Sequence, residues 1–168
     1  MQQYISAIGQ DSHRFEEAGE AGWPGKPLML GGVHIPDVEG LAGNSDADVV
    51  LHALTNAVSG ISCINILGAI TDDMCLNHSV TNSSEYLKAA KNTLGGDRIV
   101  HISISVECLR PKLSGYMEAI RSNIARLTGL PVKAVGITAT SGEGLTDFGR
   151  GLGIQAICMI TVRRDDHE

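Results

Sequence analysis

The stretch from Gly153 to Val162 sets the tightest limit on the fold. Ile154, Ala156, Cys158, Ile160 and Val162 fall on one face of an extended chain, and Ile157 and Met159 on the other. A strand that is apolar on both faces is covered on both. The helices available elsewhere in the chain suffice for one face of a sheet. The second face is therefore expected to pack on another subunit, because monomers rarely expose large apolar patches. Arg163 to Glu168 reads as a frayed, charged tail.

The other elements read as a mixture of strands and helices. Tyr4 to Ile8 predicts a first strand, ended by Gly9, and Glu16 to Lys26 a mobile Gly/Glu-rich loop. Leu28–Leu30 and Val33–Ile35 flank Gly31-Gly32 as a hairpin with His34 exposed, and Pro36 ends it. Ser45 with Asp48 forms an S-x-x-D capping box for a helix that stops at Gly60. Residues 61–73 read as a loop, with His78 solvated in the loop beyond. Asn82 caps a helix to Gly95, and Leu113 to Leu127 predicts another. Ile99–Leu109 and Val135–Ala139 are strands. The pattern predicts an α+β fold: one layer of helices on one face of a mixed four-stranded sheet, in a single domain spanning 1–168.

Composition narrows the function. Hydrophobic residues are 43% and charged residues 19%, as in a folded globular chain, and the net charge is -6. Scattered Lys and Arg argue against a nucleic-acid surface. No run is long enough to span a bilayer, no signal peptide is evident, and the four dispersed cysteines read as reduced thiols. The expectation is a cytoplasmic protein.

Two stretches carry candidate chemistry. Asp11 and His13 are two apart, so an extended chain aims both at one point. This is a polar strand end or half of a metal site. His52 lies near the start of the Ser45 helix. It is either an incidental histidine on a capped surface helix or part of a phosphate or metal site at a helix N-terminus. Further on, the glycines of Thr140 to Gly151 permit close backbone approach to an anion. The G-K-[ST] ending of a Walker loop is absent, and a strand follows where a dinucleotide fingerprint needs a helix.

These motifs stand in a familiar order. Gly9-x-Asp11-x-His13, Gly31-Gly32-Val33-x-Ile35-Pro36, Ser45-Asp46-x-Asp48 through His52 to Thr55, Pro111-Lys112, Ala139-Thr140-Ser141-x-Glu143 and Phe148-Gly149-Arg150-Gly151 resemble the 2-C-methyl-D-erythritol 2,4-cyclodiphosphate synthase family over nearly the whole chain. The resemblance implies cyclisation of 4-diphosphocytidyl-2-C-methyl-D-erythritol 2-phosphate with release of CMP, in the non-mevalonate route to isoprenoids. It implies a homotrimer with sheets packed face-inward and active sites between subunits. Asp11, His13 and His52 match zinc ligands, and Glu143 matches a ligand of a second ion, Mg2+ or Mn2+. Ser45 matches a catalytic contact to the substrate phosphates, and Thr140 and Ser141 match catalytic hydroxyls that hold the cytidine diphosphate. Pro111 and Lys112 match the wall of a cytosine pocket, and Asn44, next to Ser45, is expected to bind substrate as well. Arg150 matches an arginine on the trimer axis, where a phosphate or an isoprenoid diphosphate can bind.

The chain also departs from that pattern. Gln10 runs straight into Asp11, and Asn44 replaces a usual histidine. Asn56 replaces an aspartate, Thr138 a lysine, and Leu152 an acid. Asn65-Ile66-Leu67-Gly68 replaces a shorter Asp-Ile-Gly. The alternative these departures keep open is a non-catalytic trimer that binds a phosphorylated isoprenoid or a nucleotide.

Overall fold

The computed structural model describes residues 2–17 and 25–165. The middle of the Gly/Glu-rich loop expected at 16–26 and the last three residues of the expected tail lie outside that range. Along the chain come β1 (Gln2–Arg14), β2 (Pro27–Leu30), β3 (Val33–Glu39), α1 (Val49–Ser62), α2 (Ala69–His78), α3 (Ser83–Asn92), β4 (Arg98–Glu107), α4 (Met117–Thr128), β5 (Val135–Thr140) and β6 (Gly153–Asp165).

The fold is α+β, with a four-stranded mixed sheet in the order β1-β6-β4-β5. β6 pairs antiparallel with both β1 and β4, and β5 lies parallel to β4. β2 and β3 form a separate hairpin around Gly31-Gly32, whose positive φ values suit the turn. One sheet face is covered. Ile102, Ile104 and Val106 of β4 and Ile154, Ala156, Cys158, Ile160 and Val162 of β6 are buried there. The helices α1 and α4 bring Leu51, Leu54, Ile120 and Ile124 to the same core. The opposite face shows three cross-strand rows: Gln10–Ile157–Ser105, Ile8–Met159–Ser103 and Ser6–Thr161–His101. Ile8 there is 68% exposed and Met159 46%.

Five local expectations are overturned, each for a physical reason. Asp48, not Ser45, caps α1. Its carboxylate accepts the N–H groups of Val50 and Leu51, while Ser45 Oγ accepts from Ala47. α1 then runs past Gly60 to Ser62, because Cys63 takes the left-handed C-cap. α2 occupies residues read as loop. Only Thr71 of its ten residues is buried, so the helix has no apolar stripe to announce it. The C-terminal Arg163, Arg164 and Asp165 extend β6, and Arg164 makes a two-pronged contact with Asp97.

The fifth correction bears on the site. β1 does not end at Gly9 but continues to Arg14. Gly9 lies directly under α1: a Cβ there would sit 2.3 Å from Ala53 O and 2.3 Å from Ala57 N. Both are backbone atoms, so the helix itself must move to admit a side chain. Gly9→Ala is therefore expected to cost about 2–3 kcal/mol, the upper part of the range for overpacking. It should also widen the gap between β1 and His52 on α1. Urea unfolding of the variant checks the first claim; a loss under 0.5 kcal/mol contradicts it.

Candidate active site

α1 sets the position of His52 through Asp48. The Asp48 carboxylate is fully buried and collects four backbone N–H groups. Gly31 donates at 2.8 Å and Gly32 at 2.6 Å from the hairpin turn; Val50 at 3.1 Å and Leu51 at 3.0 Å come from the first helical turn. Burial pushes this carboxyl upward, against the N–H groups of Leu51, Gly32 and Gly31 that favour its charge. The start of α1 is thereby tied to the hairpin.

Asp11 and His13 follow Gly9 in phase on the covered face of β1, so all three face α1. Asp11 Oδ2 lies 3.1 Å from His13 Nε2 and 2.9 Å from His52 Nδ1. The two imidazoles meet edge-on, with centroids 5.7 Å apart. Burial raises the Asp11 carboxyl, but the hydrogen bonds and charge of His13 and His52 bring it down to about 2. Asp11 in turn raises His13, against partial desolvation. One carboxylate and two imidazoles converging on a point are a set that could hold a metal ion. Three such ligands leave a fourth position open, as catalytic sites require.

The cluster opens into a cavity of about 310 Å³ that Asn44 and Ser45 also line. Cys75 and Tyr86 of this cavity had no sequence signal. Gly68, Thr71 and Asp72 line it from α2 and its approach, and Cys75 of α2 donates its thiol to Asn44 O at 3.1 Å. Lys26 Nζ donates to Gly43 O at 2.6 Å and Ser45 O at 3.0 Å, clamping the Asn44–Ser45 loop from the hairpin side.

Pro111, Lys112, Thr140 and Ser141 line a different cavity, of about 340 Å³, with Leu113 and Met117. No residue is shared between the two. Sheet register gives their separation. Asp11, Ala156, Val106 and Ala139 form one row across all four strands. Three steps of about 4.8 Å put Asp11 and Ala139 roughly 14 Å apart. Asp11 and His13 are on one edge strand, and Thr140 ends the other with Ser141 just beyond it. Thr140 Oγ1 accepts from Gly142 N at 3.2 Å, and Ser141 Oγ from Glu143 N at 3.4 Å. Glu143 is exposed in the left-handed region, at φ 52°, so the turn throws its carboxylate outward. Arg150 pairs with Asp147 at 2.6 Å and is exposed. Asn56, in place of the usual aspartate, donates to Gln10 O at 3.0 Å, so it braces β1.

A family model described as the YgbB family matches residues 4–163. The 2-C-methyl-D-erythritol 2,4-cyclodiphosphate synthase of Chlamydia caviae is 42% identical over 160 residues, covering 95% of this chain and 89% of the relative. The chain belongs to the YgbB family of 2-C-methyl-D-erythritol 2,4-cyclodiphosphate synthases. The enzyme of that name from Chlamydia felis is also 42% identical, with the same coverage. A solved synthase in its CDP-bound form superposes with a TM-score of 0.81 at 29% identity, over 94% of this chain and 99% of the other. The bifunctional IspDF of Campylobacter jejuni matches at 0.86 and 30% identity; this chain covers 44% of that longer one. Among the described residues no helix is long and apolar enough to cross a membrane.

Proposed function

We propose that the chain is a lyase that cyclises 4-diphosphocytidyl-2-C-methyl-D-erythritol 2-phosphate to the 2,4-cyclodiphosphate with release of CMP. The observation that carries this reading is the convergence of Asp11, His13 and His52 beside the Ser45 loop, in a chain of this family. The non-catalytic alternative is not favoured, since the relatives are named as synthases and the ligand set is whole.

In the reaction an oxygen of the 2-phosphate attacks the β-phosphorus, forming one P–O bond. The bond from that phosphorus to the bridging oxygen breaks, and the electron pair leaves with CMP. Such transfers depend on positioning and on neutralising charge. Ser45 and the loop held by Lys26 orient the phosphates. Pro111 and Lys112 wall the cytosine, and the hydroxyls of Thr140 and Ser141 hold the cytidine diphosphate. Imidazole and carboxylate donors suit zinc at Asp11, His13 and His52, and the lone carboxylate of Glu143 suits Mg2+ or Mn2+. The zinc, when bound, supplies a Lewis acid for the β-phosphate.

A single chain holds the cluster and the hydroxyl pocket on opposite sheet edges, which supports a homotrimeric ring. Packing the exposed Ile8–Met159 face inward sets one edge beside the opposite edge of a neighbour. Arg150 then faces the axis, where an isoprenoid diphosphate or a phosphate fits three guanidinium groups.

The test is CMP release from authentic substrate by purified protein with Mg2+. Turnover is expected; substrate left intact by zinc-loaded trimer overturns the proposal. Glu143→Gln should lower Mg2+-dependent release by about 100-fold, as loss of one charge-stabilising group does, with zinc content unchanged. An unaltered Mg2+ dependence contradicts the Glu143 assignment.

The pair also sets a pH dependence. Asp11 is held at about 2, below its usual 3.8, so its stabilisation is present above 3.8 and lost as pH falls through about 2. His13 is raised above 6.5, so its stabilisation is present below 6.5 and lost as pH rises through the raised value. Metal-free protein thus has the full contribution of the pair between these limits. Zinc needs unprotonated imidazoles, so its effect on Tm should grow as pH rises from 5 to 8. Parallel melting curves with and without zinc contradict this.

A further inference from the structure

The second nitrogen of His52 is engaged from a direction the sequence did not suggest. His52 Nε2 lies 2.8 Å from the hydroxyl of Ser83, the first residue of α3. Ser83 is fully buried and His52 is 8% exposed, so water cannot substitute for this contact. The Ser83 hydroxyl donates to Asp46 Oδ1, and the Ser83 N–H donates to Asp46 Oδ2 at 3.0 Å. Asp46 N also donates to Thr81 O at 2.9 Å, which stitches the segment after Ser45 to the start of α3. The ring of Tyr86 lies 6.1 Å from that of His52, centroid to centroid.

The direction of the protons follows from the chemistry. A carboxylate only accepts, so the Ser83 proton is committed to Asp46. The Ser83 oxygen can then only accept from His52, which places a proton on Nε2. In the neutral ring that leaves Nδ1 as a bare lone pair, 2.9 Å from Asp11 Oδ2. Two lone pairs at that distance need a cation between them, a proton in the metal-free protein or a metal ion in its place.

We infer that Asp46 and Ser83 form a positioning relay that fixes the His52 ring and its tautomer, so that the metal is taken through Nδ1. Outer partners of this kind orient a metal-binding histidine and raise its basicity. Because Asp46 adjoins Ser45, one carboxylate supports both the ligand and the loop that orients the phosphates. This inference rests on the metal reading above.

The experiment measures zinc affinity by competition with a chromophoric chelator, together with the nitrogen resonances of His52 in zinc-loaded wild type carrying 15N-histidine. Ser83→Ala is expected to bind zinc about 10–100-fold more weakly with unchanged circular dichroism. The spectrum should show a proton on Nε2 and a metal-shifted Nδ1. Zinc affinity of Ser83→Ala within twofold of wild type overturns the relay, as does a metal-shifted Nε2. If Ser83→Ala does not fold, the wild-type resonances decide alone. Wild type that takes up no zinc overturns the metal reading itself, which separates the two failures.

Discussion

Asp48→Ala is expected to cost about 4 kcal/mol of folding stability, more than any other single substitution near the site. Loss of an N-cap accounts for about 1–2 kcal/mol. The N–H groups of Gly31 and Gly32 lose their acceptor too, at about 1–3 kcal/mol for each donor left buried without one. The hairpin turn and the start of α1 then have nothing in common to hold. Asp48→Asn keeps one oxygen and is expected to lose roughly half as much. For a chain of this length 4 kcal/mol is a fall in Tm of roughly 10 °C. Urea unfolding at fixed protein concentration measures it, and a loss below 1 kcal/mol for Asp48→Ala would show that the hairpin and helix do not depend on this carboxylate.

The second large effect concerns the proposed shared site. His52→Ala removes one of three ligand groups and is expected to reduce CMP release by about a thousandfold, as loss of a preorganised electrostatic contact does. Its fold should persist, because α1 is held by Asp48 and by its apolar face rather than by His52. Glu143→Gln is expected to be impaired on its own. Co-refolding equal amounts of the two variants should restore about a quarter of wild-type activity, since a site drawing residues from two neighbours finds both intact with that frequency. No recovery, with mixed trimers verified by mass, would place both residues in the same chain's site and end the inter-subunit reading.

How much of this was legible in the sequence differed by element. The alternation of Ile102, Ile104 and Val106 reported β4 and its buried face directly, because one side of the strand meets helices and the other does not. Gly31-Gly32 reported its hairpin through turn chemistry. α2 was silent because it packs only lightly, leaving Ile70 and Leu76 exposed. Gly9 was misread because a strand glycine looks the same whether it ends a strand or admits a helix backbone. The D-x-H pair gave the Asp11–His13 geometry, since period-two spacing needs no tertiary knowledge. Attaching His52 to it required knowing where α1 lands. Ser83 and Asp46 are 37 residues apart, and ordinary helix-end residues in type; no local rule connects them.

The division of the two cavities between opposite sheet edges has a consequence for how such a protein behaves on dilution. In the proposed homotrimer each chain carries the halves of two different reaction centres and has no complete one of its own. Its catalytic capacity then belongs to the assembled fraction and follows mass action, so the number of working sites falls faster than the number of chains as the assembly comes apart.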